Sequence, residues 1–179
     1  ELTRKKDGQV VQQLSVDGTD EEQLRWCHYR NFRPTHSQWQ KVTRGELFPN
    51  AIRASVVLDS YAYNTAEPTR YNGRPRERFN WVGDLAVECD VTIESDTGVL
   101  VLELLEGGRV FQCELDIASG KATLTIDGGK QAFDEDVLTP VANTDVKGAD
   151  SYTLMFSNVD DQLLLWVDGS VVEFDTATT

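Results

Sequence analysis

From residue 84 onward the chain alternates. Leu85, Val87, Cys89, Val91 and Ile93 are apolar, and they interleave with Asp84, Ala86, Glu88, Asp90 and Thr92. A period of two sends the two sets to opposite faces, so the stretch predicts a strand with one buried and one wet face. Phe111, Cys113, Leu115 and Ile117 repeat the pattern, as do Ala122, Leu124 and Ile126, and then Tyr152, Leu154 and Phe156. Residues 99–105 are apolar almost throughout, broken by Glu103, which predicts a central strand covered on both faces. Strands are also expected over 162–167 and 171–174. Between them stand Ser95-Asp96-Thr97-Gly98, Gly107-Gly108, Ser119-Gly120, Asp127-Gly128-Gly129, Asp160-Asp161 and Asp168-Gly169. Such pairs read as hairpin turns, because glycine and aspartate accept the positive φ that tight turns need. Residues 134–147, with Pro140, read as a polar connection.

The first half is less regular. A strand is expected over 9–16, and Thr19-Asp20-Glu21-Glu22 resembles a helix capping box. Leu24, Trp26 and His28 also fit strand alternation, so 20–30 stays open between helix and strand. Strands are expected over 39–43 and 54–63. Residues 65–80, with Pro68, Gly73 and Pro75, read as a loop.

Short strands every 8–12 residues point to a sandwich or barrel. The expectation is an all-β, antiparallel two-sheet β-sandwich. One domain is expected over 1–179, with its core strands over 54–174 and with 1–50 open to belonging to a preceding element. The chain starts at Glu1 rather than Met, which reads as a piece of a longer protein. No apolar run reaches the roughly 18 residues a membrane-spanning helix needs.

Charge changes the picture by its placement. Residues 1–80 hold 13 Lys/Arg and 10 Asp/Glu, residues 81–179 hold 4 and 20, and the balances of +3 and −16 make the net −13. The acidic half repels a phosphate backbone, so no nucleic-acid partner is expected.

Candidate chemistry is sparse. Glu88/Asp90 and Glu114/Asp116 each place two acids on one strand face, which invites comparison with the carboxylate pairs of glycoside hydrolysis. Laminarinase-type enzymes add a further glutamate just after the aspartate; Val91-Thr92 and Ile117-Ala118 stand there instead. Solvated strand faces explain both pairs. His28 and His36 are the only histidines and no Gly-x-Ser-x-Gly elbow occurs; His28 is expected to pack among Trp26, Tyr29 and Arg30. Asp134-Glu135-Asp136 and Asp160-Asp161 could hold a cation only weakly. No metal site and no cofactor are expected. Cys27, Cys89 and Cys113 lack ligand spacing. A meander that puts 99–105 between Cys89 and Cys113 separates them by two strand spacings, about 9.6 Å, too far for a disulfide.

The densest basic feature is 70–81. Arg70, Arg74, Arg76 and Arg78 are flanked by Tyr71, Phe79 and Trp81. Arginine pairs bidentately with phosphate or carboxylate, and aromatic rings suit a headgroup boundary. Arg70, Tyr71, Arg74, Arg76, Arg78 and Trp81 are therefore the candidate contact surface, against a loop folded back on the acidic sandwich.

Three segments carry a resemblance. They are Leu58-Asp59-Ser60-Tyr61-Ala62-Tyr63-Asn64; the run from Asn80 and Trp81 through Gly83, Asp84 and Leu85 to Val91; and the run from Phe156 through Asn158, Asp160, Asp161, Leu163 and Trp166 to Asp168-Gly169. In this order they resemble an extra domain of large bacterial type I signal peptidases, over about 54–174. Over 84–174 the chain also resembles concanavalin- and laminin-G-type sandwiches, which implies a concanavalin A-like jelly roll. The first resemblance implies a noncatalytic accessory domain of a membrane-anchored protein, on the extracytoplasmic (periplasmic) side. Its partners would be the parent protease domain or an anionic membrane surface. The family's catalytic serine precedes a methionine; here Leu154 precedes Met155, the only methionine. The Ser/Lys dyad is thus expected outside this chain, and no catalytic residue within it. The second resemblance implies the alternative, a carbohydrate-binding module that would use Trp26, Trp39, Trp81 or Trp166.

Overall fold

The computed structural model describes residues 2–6, 9–13, 24–29, 31, 35–46, 57–59, 69–71, 74–76 and 80–179. The chain divides into two compact units, Glu1–Val57 and Leu58–Thr179.

The first unit holds an antiparallel ladder, β1 (Leu2–Lys6) with β2 (Gln9–Gln13), and one helix, α1 (His36–Thr43). The helix replaces the strand expected over 39–43, and its ends explain why. Thr35 N–H donates to Gln38 Oε1 at 2.7 Å, and Gln38 N–H returns to Thr35 Oγ1 at 3.4 Å. This reciprocal capping box satisfies donors that a first helical turn leaves free. At the other end Gly45 takes φ 77°, and Glu46 N–H reaches back to the Lys41 carbonyl at 3.0 Å. Residues 24–29 are neither helix nor strand. Of the strand expected over 9–16, only 9–13 is described, and the expected capping box at 19–22 lies outside the described residues.

The second unit opens with two short ladders. β3 (Leu58–Asp59) pairs with β6 (Asn80–Trp81), and β4 (Thr69–Tyr71) pairs with β5 (Arg74–Arg76). The expected loop over 65–80 therefore contains a hairpin. Pro75 stands opposite Arg70 in it, which the two-stranded ladder among the described residues permits.

The sandwich follows. Its eight strands are β7 (Leu85–Thr92), β8 (Val99–Glu106), β9 (Arg109–Asp116), β10 (Lys121–Ile126), β11 (Val141–Asn143), β12 (Ser151–Val159), β13 (Gln162–Val167) and β14 (Ser170–Val171). One antiparallel sheet runs β11-β10-β9-β8 and the other β14-β13-β12-β7. The all-β, antiparallel two-sheet sandwich is thus the fold. The chain crosses between sheets at 93–98 and at 144–150. The second link is held where Gly120, at φ 76°, passes so close that a Cβ would lie 2.6 Å from the Thr144 carbonyl oxygen.

Two expectations about strand order change. β8 is an edge strand, not a central one. β7 pairs with β12, not with β8, so Cys89 and Cys113 sit in different sheets rather than two strands apart in one. Both cysteines are free, as expected, but the separating distance is that between packed sheets. The polar connection expected over 134–147 contains β11 and a 3-10 turn at Asp134–Asp136.

The core lies between the sheets. Its fully buried large side chains include Leu115, Leu124, Leu154, Phe156, Leu163 and Leu165, all on β9, β10, β12 and β13. Burial of each contributes roughly 1.5–3 kcal/mol.

Three aspartates finish ladders with their side chains. Val110 N–H donates to Asp127 Oδ1 at 2.9 Å while Asp127 N–H donates to the Val110 carbonyl at 2.8 Å. Thr153 and Asp168 make the same pair of bonds, each at 2.8 Å. Val141 and Asp175 do so at 2.9 Å. In each case a carboxylate oxygen takes the place of a partner strand's carbonyl. Asp127 and Asp168 adopt φ of 51° and 49°, so the backbone can turn into the following glycine while the side chain completes the rung.

Candidate functional site

The arginine segment is a hairpin in part. Arg70 and Tyr71 lie on β4, and Arg74 and Arg76 on β5, with Tyr71 directly opposite Arg74 and Thr69 opposite Arg76. This register gathers three of the four arginines into one short ladder. Trp81 belongs to another ladder, opposite Leu58 on β6–β3. Arg78 lies outside the described residues.

Of the acids considered for hydrolysis, Asp90 and Asp116 are engaged in local hydrogen bonds. Glu88 and Asp90 lie exposed on the outer face of β7, and Asp90 Oδ1 accepts a hydrogen bond from the Thr153 hydroxyl at 2.8 Å. Asp116 Oδ1 accepts both the Ser119 hydroxyl, at 2.6 Å, and the Ser119 N–H, at 2.7 Å. The hydroxyl bond above all, then the backbone bond, holds this carboxyl below the usual aspartate range. Asp134 Oδ2 accepts the Thr179 hydroxyl at 3.1 Å, and Asp160-Asp161 form the two-residue turn of the β12–β13 hairpin with φ of 51° and 63°. Asp90, Asp116 and Asp134 are thus explained locally as turn or ladder acceptors. Among the described residues no three His, Cys, Asp or Glu side chains gather in a group that could hold a metal ion. No described helix is long and apolar enough to cross a membrane.

His28 is exposed rather than packed. Its ring stacks on that of Trp26, with centroids 6.3 Å apart and planes 24° from parallel. Trp166 is half-buried on β13, opposite Met155 on one side and Val171 on the other. Trp39 lies on α1 and Trp81 on β6. Burial, then the charge of Glu114, pushes the Cys113 thiol up to about 12. Burial, then Asp90 and Glu88, raises Cys89 as well. Neither thiol is poised as a nucleophile, which requires the thiolate.

Two open depressions mark the sandwich surface. One, about 660 Å³, lies by the β8–β9 and β10 turns and is bordered by Val110, Gln112, Asp127 and Lys130. The other, about 400 Å³, lies between the β11 and β14 edges by Asp145, Val167, Val171 and Glu173.

The inner face of β7 (Leu85, Val87, Cys89, Val91, then Ile93) is only half-buried, although it packs against the core. The neighbouring edge strand β8 exposes 47% of Val99 and 65% of Leu105. The signal was the apolar run 99–105, assigned to the middle of a sheet when it stands at an edge.

Compared with protein-family models, with curated proteins and with solved structures, the chain has no significant match.

Proposed function

We propose that this chain is a noncatalytic accessory domain of a membrane-anchored, signal peptidase-like protein, lying outside the cytoplasm and acting through contact with a protein or an anionic membrane surface. The observation that carries the contact role is the gathering of Arg70, Arg74 and Arg76 into the β4–β5 ladder. It adjoins in sequence a half with a net charge of −16, from 4 Lys/Arg and 20 Asp/Glu in 81–179. Basic residues near an anionic surface contribute about 1 kcal/mol each, and salt screens them. The local engagement of Asp90, Asp116 and Asp134 as hydrogen-bond acceptors supports the noncatalytic part.

Cosedimentation with anionic and neutral vesicles, at low and high salt, tests the membrane version. Wild type should pellet with anionic vesicles at low salt, and an Arg70/Arg74/Arg76/Arg78→Ser variant should not. Equal recovery throughout removes the membrane as the partner. Turnover of a signal-peptide substrate by the purified chain would contradict the noncatalytic reading.

A second reading, a carbohydrate-binding module, is favoured by Trp26, which is exposed and stacks on the His28 ring, since sugars stack on exposed indole rings. Quenching of tryptophan fluorescence by oligosaccharides, lost in Trp26→Ala, is its test.

A further inference from the structure

Among the described strands of the sandwich, β7 and β8 are the long edges, and they differ in what they offer a partner. In an antiparallel pair, alternate residues turn their N–H and C=O groups toward the partner strand and the others turn them outward. Ile117 N–H donates to the Gly98 carbonyl at 2.9 Å, which fixes the phase of β8. Leu100, Leu102, Leu104 and Glu106 then bond to β9, and Val99, Val101, Glu103 and Leu105 direct their backbone groups to the free edge. Ile93 N–H donates to the Asp150 carbonyl at 2.8 Å and fixes β7 in the same way. The residues facing its free edge are Ala86, Glu88, Asp90 and Thr92.

The β7 edge is guarded. Pairing it with another β7 about its centre sets Glu88 opposite Asp90, and like charges directly opposite destabilise a sheet. The β8 edge carries none of the usual guards: no lysine, no proline and no bulge. Its one mid-strand charge, Glu103, is turned toward its own sheet, where Oε2 accepts Gln112 Nε2 at 2.7 Å. Among the described residues nothing pairs with this edge.

We infer that β8 is a self-association edge, and that its occupant is β8 of a second copy of this chain. The sequence is self-complementary about Leu102. An antiparallel two-fold pair centred there sets Val99 opposite Leu105 of the second copy, and Val101 opposite Glu103. On the core side Leu102 meets Leu102, and half-buried Leu100 meets Leu104. Every apolar residue exposed on the edge gains an apolar neighbour, no acid faces an acid across the seam, and the outward backbone groups are satisfied. The two four-strand sheets become one sheet of twice the width, an isologous contact. The net charge of −13 opposes the approach of two copies, so association should strengthen with salt.

Sedimentation velocity of the full chain, over a concentration series at low and moderate salt, tests this. The expected result is a monomer–dimer equilibrium shifted toward dimer by salt. Val101→Pro, which removes an outward N–H without touching the β9 ladder, and Leu105→Lys should each weaken it roughly tenfold or more. Glu88→Pro, the matched change on the β7 edge, should leave it unchanged. Circular dichroism and a cooperative melt establish that each variant folds. Independently of those variants, Val99→Cys/Leu105→Cys in a Cys27→Ser background should form an intermolecular disulfide between positions 99 and 105. A wild-type chain monomeric in all conditions overturns the inference. So does a dimer indifferent to Val101→Pro and Leu105→Lys, or one that crosslinks 99 to 99 and not 99 to 105.

Discussion

Along the β11/β14 side of the sandwich the last residues of the chain take up the backbone groups that an edge leaves free, whereas along the β7/β8 side no described residue does the same. On the first side, Asp175 binds both outward groups of Val141, Val172 N–H continues the β13–β14 ladder to the Leu165 carbonyl, and Leu163 N–H donates to the Thr178 carbonyl, all at 2.8–2.9 Å. Val172 and Phe174 pack on the core from this stretch, and Thr178 is itself buried. On the second side the inner face of β7 stays half-buried, and the sheets are tied where Asn158 Nδ2 donates to Glu106 Oε2 at 2.7 Å. The two sides share one core and similar strand chemistry. Among the described residues, they differ in whether backbone and side-chain groups close them.

The largest expected effect separates the middle of the sandwich from its open side. Leu154 is fully buried on β12, directly opposite Cys89 of β7. Leu154→Ala should cost about 2–5 kcal/mol by urea denaturation. Val87→Ala, on half-buried β7, should cost only about 1 kcal/mol. Equal costs would mean that the β7 side is as well covered as the centre.

The closed side is tested through its aspartate. Asp175→Ala removes the acceptor for Val141 N–H and should cost about 1–2 kcal/mol. Asp175→Asn keeps an oxygen in place and should recover most of it. Hydrogen exchange of the Val141 amide should rise in the alanine variant and stay slow in the asparagine variant. Unchanged exchange in both would show that the ladder end does not depend on the side chain.

Thiol labelling compares the sides without a stability change. Cys27 is exposed, Cys89 is half-buried on the open side, and Cys113 is buried with its thiol pushed up to about 12. The expected order is Cys27 first, Cys89 through local opening, and Cys113 only with global unfolding. Cys89 and Cys113 labelling at one common rate would mean that β7 opens only with the whole domain.

The smallest effect concerns pH. The Asp116 carboxyl is held below its ordinary value of 3.8, chiefly by the Ser119 hydroxyl. A depressed carboxyl contributes stability above its unfolded value, and that contribution is lost as pH falls through the lower folded value. An NMR titration should place the Asp116 midpoint below 3.8, and Ser119→Ala should move it upward. A midpoint indifferent to that change would locate the cause elsewhere.

Much of the sandwich was legible in the sequence, and for one reason. On β7, β9, β10 and β12 a period of two coincides with a single buried face, so alternation and burial carry the same information. What alternation does not carry is the identity of the neighbouring strand. β7 looked like the first strand of a meander, yet its partner is β12. β8 looked central because its outward residues are apolar, and that is the property that sets it apart as an edge. β11 was missed because three residues after Pro140 are too few to show a period. α1 is a helix where 39–43 alone reads as a strand, because Thr35, Gln38 and Gly45, which mark both its ends, lie outside that stretch. For the candidate site, the arginine cluster was plain from composition. Its hairpin was not, because Gly73 and Pro75 read as loop residues.

The pairing of β7 with β12 also orders events in time. Asp90 and Thr153, neighbours across that ladder, are 63 residues apart in the chain. Of the strands between them, β8, β9 and β10 zip one to the next through short turns within their own sheet. Long-range closure is slow, and an unpaired strand is at risk of meeting the wrong edge while it waits. β7 is made before the meander and can pair only after it. During that interval the like charges of Glu88 and Asp90 disfavour the pairing of one β7 with another about its centre.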